Sequence, residues 1–178
     1  MNSGWECFAR AQRGDESAWR ELIENHQQRL GSLALLITGS TSDAEDIVQE
    51  TFMRALGAKI RHYHGTVGGF LSTIAYRLSL KEKKFARRSE TLENKKFLDR
   101  SGDSLENVLQ DERDKHIASA IRSLDCKHRD ILILRFYADC SYEEIASIMQ
   151  LSLGTVKSRI FYAVKTCREI LKEKGILE

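Results

Sequence analysis

At 178 residues, with 42% hydrophobic and 30% charged side chains, the chain is long enough to bury a proper core, and its length suits one large domain or two small ones. A net charge of only +2 excludes a polycation that coats nucleic acid indiscriminately, so any basic function must come from local segregation of charge. Four scattered cysteines without a CxxC pair, an N-terminus lacking the apolar run of a signal peptide, and a longest apolar stretch of only Leu33 to Ile37 argue for a reducing cytoplasm and against membrane insertion.

Charge is segregated along the chain. Residues 1–60 carry six basic against nine acidic residues, 61–100 ten against four, 101–150 six against ten, and 151–178 six against three. Two acidic blocks therefore alternate with two basic ones. The absence of proline removes the commonest helix breaker and fits a mostly helical chain.

Across residues 17–86 apolar positions recur at helical spacing. Ile47, Val48, Thr51, Phe52, Ala55 and Leu56 form one stripe, and Phe70, Leu71, Ile74, Ala75 and Leu78 another. Ser42 and Glu45 stand in the S-x-x-E relation of a capping box, which predicts a helix start near Asp43, with Asp43, Glu45 and Asp46 placed favourably against the helix dipole. Gly65, Gly68 and Gly69 in "HYHGTVGGF" predict a loop between helices. From Ser89 to Ser104 the chain is polar and aperiodic, as a tether between domains is. Helical spacing returns over Leu105 to Leu124 and Asp130 to Tyr137, and two further helices are predicted over Ser141 to Met149 and Ser152 to Leu171.

The last two make a helix-turn-helix. In "CSYEEIASIMQLSLGTVKSRI", Ser141 and Glu144 form a capping box, Ile145, Ala146 and Met149 are core positions, the break falls at Gln150 and Leu151, and Ser152 caps the second helix. At 100° per residue, Val156, Ile160, Ala163, Val164 and Cys167 face the core, while Gly154, Ser158, Phe161 and Lys165 point away, flanked by Lys157 and Tyr162. Solvent is a poor reason to expose Phe161. A major groove is a better one, because Lys and Ser donate to base or phosphate acceptors and an aromatic edge packs on a thymine methyl. Gly154 near the helix start lets the backbone approach a phosphate. A helix pair whose basic face is merely solvated is the competing reading, and Arg159, toward the core side, suits a structural ion pair as well as a phosphate contact.

The stretch "SYEEIASIMQLSLGTVKSRIFYAVKTCREIL" closely resembles the fourth conserved region of extracytoplasmic-function (ECF) sigma factors, group 4 of the sigma-70 family, which recruit RNA polymerase to promoters. Upstream, "DAEDIVQETFMRAL" is similar to their second region. The two matches come in the family's order and at about its separation. The resemblance implies an all-α fold of two helical domains joined by a flexible linker: a sigma-2 bundle over 1–88, a linker over 89–104, and a sigma-4 helix-turn-helix domain over 105–178.

It also implies partners and sites. Asp46, Gln49, Glu50 and Met53 would meet core polymerase at the coiled coil of its largest subunit, acidic groups supplying orientation and the apolar edge affinity; the flap would be a second contact. The loop "HYHGTVGG" and the helix after it correspond to the part that opens the minus-10 element. There Tyr63 and His64 would stack on or hydrogen-bond to an extruded base of the melted strand, and Arg77, Lys81, Lys84, Arg87 and Arg88 would track its phosphates. Read without the family, the same basic amphipathic helix could lie on a membrane surface, although its apolar stripe is short for an anchor. Lys157, Ser158, Phe161 and Tyr162 match positions that read the double-stranded minus-35 element; Ser152, Thr155 and Arg159 match backbone-supporting ones, and Lys165 lies on the same face. Tethering raises effective concentration, so neither domain needs high affinity alone.

Four positions depart from the family: Phe70 stands where a Trp is usual, Arg77 for Asn, Asp125 for Pro, and Tyr162 for an Arg. A phenol cannot make the bidentate guanine contact of a guanidinium, so Tyr162 alters the expected minus-35 sequence. With no long extension after Leu171, control is expected from a separate anti-sigma factor. Neither His62 with His64 nor Cys126 with His128 supplies four ligands at a familiar spacing, so no metal or other cofactor is expected. No nucleophile with an identifiable base is present, so an enzyme is not expected. An autonomous helix-turn-helix regulator and a protein-only adaptor are the alternative functions; the adaptor explains the basic stripes poorly.

Overall fold

The computed structural model describes residues 3–60, 65–90 and 112–177, the side chains of residues 3, 87–90 and 112–114 excepted. Eight α-helices are present among the described residues: α1 Ser3–Gln12, α2 Glu16–Thr38, α3 Thr41–Gly57, α4 Val67–Glu90, α5 Glu112–Ser123, α6 Cys126–Leu132, α7 Tyr142–Met149 and α8 Leu153–Glu173. A π-helical stretch, Ile133–Tyr137, continues α6. Residues 91–104, most of the expected linker, lie outside the described residues.

Helices α1 to α4 form one bundle, with α2 packed on α1, α3 and α4. Side chains placed just before each helix start it. Asp15 accepts hydrogen bonds from the Ser17 and Ala18 amides at the head of α2, and α2 ends on Gly39, whose φ of 80° is a left-handed conformation that glycine adopts freely. The cap of α3 is Ser40, which accepts from the Asp43 amide at 3.2 Å, so the expected cap at Ser42 is corrected. The pattern S-T-S-D at 40–43 offers an equivalent box two residues earlier, and Ser42 lies within the helix.

The glycine loop is also shorter than its composition suggests. Thr66 Oγ1 accepts from the Gly69 amide at 2.9 Å and the Thr66 carbonyl from the Phe70 amide at 3.0 Å, so α4 begins at Val67 and takes Gly68 and Gly69 into its first turn. A threonine at the N-cap outweighs two poor helix formers. Of the α4 stripe, Leu71 and Ala75 are fully buried in the bundle while Phe70, Ile74 and Leu78 pack half-buried at its edge, and Phe52 and Ala55 of α3 are buried. Helix α1 is locked on by aromatics: Trp5, Phe8 and Phe70 lie with ring centroids 5.5 to 5.9 Å apart, and the Trp5 indole donates to the Gly65 carbonyl at 2.9 Å.

The second unit packs α5, α6 and α7 around α8. Asp125, where the family usually has proline, caps α6 by accepting from the Lys127 and His128 amides. Its φ of −60° is one a proline would also hold, so the exchange keeps the turn and adds a cap. Ile131 to Leu134 are buried in succession, a run the π-helical stretch allows by changing which residues face inward. Cys140 and Cys167 are buried, as expected of packing thiols, and burial pushes the Cys140 thiol up to about 12. No helix among the described residues is long and apolar enough to cross a membrane.

Candidate nucleic-acid interface

The helix-turn-helix is built by three caps. Ser141 Oγ accepts from the Glu144 amide at 3.1 Å while Glu144 Oε2 accepts from the Ser141 amide at 2.9 Å, a complete capping box. Gln150 ends α7 in the left-handed conformation, φ 55° and ψ 49°, and the Leu151 amide returns to the Ala146 carbonyl at 2.9 Å. Ser152 then opens α8 by accepting from the Thr155 amide at 3.1 Å, its hydroxyl also meeting Thr155 Oγ1 at 2.8 Å. Ile145, Ile148, Val156, Ile160 and Ala163 seal the angle between the two helices.

This packing fixes which face of α8 is outward. Gly154, Lys157, Ser158, Phe161, Tyr162 and Lys165 are all exposed, and Phe161 keeps 64% of its surface in water. Val164, expected in the core, is exposed at 37%, because α8 continues beyond the short α7 and its second half is covered on one side only. Arg159 is half-buried and makes no ion pair among the described residues.

The expected minus-10 residues divide. Tyr63 and His64 lie outside the described residues, as does His62. Arg77, Lys81 and Lys84 are exposed along α4; Arg87 and Arg88 continue the helix, their side chains undescribed. Between them stands a residue that sequence reasoning passed over: Phe85 is 65% exposed amid these cations, and Leu80 is also exposed. The signal was the aromatic interleaved with lysines and arginines in "KEKKFARR", the composition of a stacking platform on a phosphate track.

On α3, Asp46, Gln49, Glu50 and Met53 occupy one outward face, with Met53 62% exposed. Glu50 is partly engaged, accepting from Arg54 Nε at 2.6 Å. Beside this face an apolar groove runs between α2 and α3, lined by Ile23, Leu35, Val48 and Phe52. A second groove on the other unit is lined by Ile117, Leu132, Phe136, Val164 and Leu177. Among the described residues no group of three or more His, Cys, Asp or Glu side chains is placed to hold a metal ion.

Residues 22–89 match the family Sigma-70 region 2 and residues 120–169 match Sigma-70, region 4. The ECF RNA polymerase sigma factor SigL of Mycobacterium tuberculosis is 32% identical over 168 residues, covering 88% of this chain and 90% of that protein. The chain belongs to the ECF sigma factors. It is also 32% identical over 165 residues to the ECF sigma factor SigE of Mycolicibacterium smegmatis, covering 89% of this chain and spanning 64% of that longer protein. Two solved structures share the fold. CnrH, determined in complex with the cytosolic domain of CnrY, superposes with a TM-score of 0.70 at 23% identity, covering 97% of this chain and 99% of that one. RpoE of Bartonella quintana, determined in complex with the anti-sigma factor NepR, superposes with a TM-score of 0.66 at 20% identity, covering 86% and 96%. ECF sigma factors are initiation subunits rather than enzymes, and the two units of this one are a sigma-2 and a sigma-4 domain.

Proposed function

We propose that this ECF sigma factor directs core RNA polymerase to promoters through three surfaces. Domain limits of 1–88 and 105–178, flanking a linker, suit the division of labour. The outward face of α8, with Lys157, Ser158, Phe161, Tyr162 and Lys165, reads the minus-35 element, supported by Ser152, Thr155 and Arg159. The basic face of α4, with Arg77, Lys81 and Lys84, holds the melted minus-10 strand together with Tyr63, His64, Arg87 and Arg88, and Phe85 is an added stacking surface. The face of α3 around Asp46, Gln49, Glu50 and Met53, with the adjoining apolar groove, meets the largest-subunit coiled coil; the groove beside Phe136 suits the flap. An anti-sigma factor acting in the cytoplasm controls the protein, a reading supported by the complex of the similar RpoE with the anti-sigma factor NepR.

The observation that carries this reading is the pair of aromatic rings left in water beside Lys157, Ser158 and Lys165 on a helix whose other side buries Val156, Ile160, Ala163 and Cys167. Burying apolar surface is worth about 25 cal/mol per Å2, so two large rings kept outside represent a stabilisation forgone unless a partner covers them. The test mixes the protein with core polymerase and a promoter library and scores transcript starts. Specific starts requiring both components support the reading; tight binding to palindromic DNA without polymerase would instead favour an autonomous regulator.

A further inference from the structure

Helix α1 directs two side-chain donors at the two ends of one connection. Gln12, the last residue of α1, donates through its amide to the carbonyls of Ala55, Leu56 and Ala58 at 3.3, 3.1 and 2.9 Å. These carbonyls belong to the last turn of α3 and the residue that ends it, where a helix runs out of amides of its own. Trp5, near the start of α1, donates its indole N–H to the Gly65 carbonyl at 2.9 Å. Gly65 is followed at once by Thr66, the cap of α4. One short helix thus grips the chain where it leaves α3 and again where it enters α4.

Trp5 and Gln12 are seven residues apart, close to two full turns, so both side chains leave α1 on the same side, about 10 Å apart along its axis. Packing fixes that side. Phe8 is buried, and the Trp5 ring meets the Phe8 and Phe70 rings with centroids 5.5 and 5.9 Å away. At Gly65 the backbone φ of 146° is one that glycine holds without strain and other residues rarely adopt. Burial does not dictate where the two donors point: Gln12 is exposed, and its bonds to Leu56 and Ala58, like that of Trp5 to Gly65, are open to water. Filling the core therefore leaves their direction unexplained.

We infer that α1 is a clamp on the minus-10 loop, with Trp5 and Gln12 as positioning residues that fix the two ends of the segment carrying Tyr63 and His64. The inference rests on the proposed function, which gives Tyr63 and His64 the extruded base; residues 61–64 themselves lie outside the described residues. Seven peptide steps link Ala58 to Gly65, and a chain of that length with free ends can reach about 24 Å. Held at both ends, it has less freedom to lose when it closes on a base. Extruding a base already costs unstacking and unpairing, so any further ordering cost falls on the melting step. Neither residue belongs to the outward face of α3 or to α8, so polymerase capture and minus-35 reading do not depend on them.

Trp5→Phe keeps an aromatic ring against Phe8 and Phe70 and removes the indole N–H, while Gln12→Met keeps the side-chain length and removes the amide. The full-length variants are mixed with core polymerase and a promoter recovered from the library, and unpaired thymines in the minus-10 element are followed by permanganate reactivity. Opening should be about fivefold slower in each variant, the effect of losing one neutral hydrogen bond, and slower again in the double variant. On the same promoter with its minus-10 element already unpaired by mismatches, the double variant should initiate within about twofold of wild type, because the base is then free for capture. Wild-type opening by the double variant overturns the clamp. An equal deficit on paired and mismatched templates overturns it too, since that marks a loss of fold or of core binding. The loop itself is checked separately: Tyr63→Ala combined with His64→Ala should slow opening by about tenfold or more. Opening at the wild-type rate in that variant overturns the functional reading of the loop, whatever Trp5 and Gln12 do.

Discussion

Phe161 and Tyr162 stand edge to face on the outward side of α8, their ring centroids 5.4 Å apart and their planes at 80°. Adjacent residues on a helix point about 100° apart, so the pair forms a small aromatic wedge between Lys157 and Lys165. Such a wedge favours thymine methyls over guanine acceptors. Tyr162→Arg would place a guanidinium fork where the phenol stands. Because a good bidentate contact discriminates by about 1–3 kcal/mol, selection from a randomised minus-35 library should shift toward guanine at one position by roughly 5- to 150-fold. An unchanged preference would mean that residue 162 does not face the bases.

Reversing one charge at the head of the same helix should separate DNA reading from polymerase binding. Lys157 is exposed and its side chain supports no described contact, so Lys157→Glu leaves the fold intact while presenting a carboxylate to phosphates. Promoter-specific transcription should disappear while capture by core polymerase persists. Loss of both would show that the two activities are not divided between the domains as proposed.

Stability of the sigma-2 bundle depends on a helix that precedes its recognisable motif. Phe8 of α1 is 2% exposed and packs against Trp5 and Phe70. Phe8→Ala should cost about 3–5 kcal/mol, read as a lower denaturant midpoint. A loss under about 1 kcal/mol would mean that α1 is not integral to the bundle.

The polar cleft between the domains should make the folded chain acid-sensitive. His26 and Arg29 face it from α2, Arg135 and Asp139 from the π-helical stretch and the turn after it, and Glu144 from α7. Burial, and then the nearby Arg29 charge, hold the His26 imidazole below its usual 6.5. For Glu144, burial pushes the carboxyl up, but hydrogen bonds from Thr66 and Ser141 prevail and leave it below its usual 4.5. In both cases the unfolded chain binds protons more readily than the folded one, so stability present at neutral pH is lost as pH falls. The His26 contribution should fade as pH drops from 6.5 through its lowered native value, and that of Glu144 below 4.5. Denaturation midpoints measured between about pH 8 and about pH 4 should fall in two stages, and His26→Gln should remove the upper one. An identical slope above pH 5 in that variant, roughly the midpoint of the two ranges, would exclude His26.

The amino-acid order by itself determined what is local and periodic. The stripes of α3 and α4, the Ser141 and Ser152 caps and the outward set around Phe161 follow from the helical repeat and from hydroxyls placed before apolar runs, interactions spanning four residues or fewer. Even there, near-equivalent choices needed coordinates, because Ser40 and Ser42 offer similar caps, and Gly68 and Gly69 read as loop until Thr66 is seen to cap them. Val164 lies on the inward arc of the helical wheel, but only the length of α8 beyond α7 leaves it uncovered. Glu144 carries the same lesson furthest. Its spacing from Ser141 announces a capping box, but nothing in a chain 78 residues distant announces that its other oxygen closes on Thr66, because that choice belongs to how two surfaces meet in space rather than to any repeat along the chain.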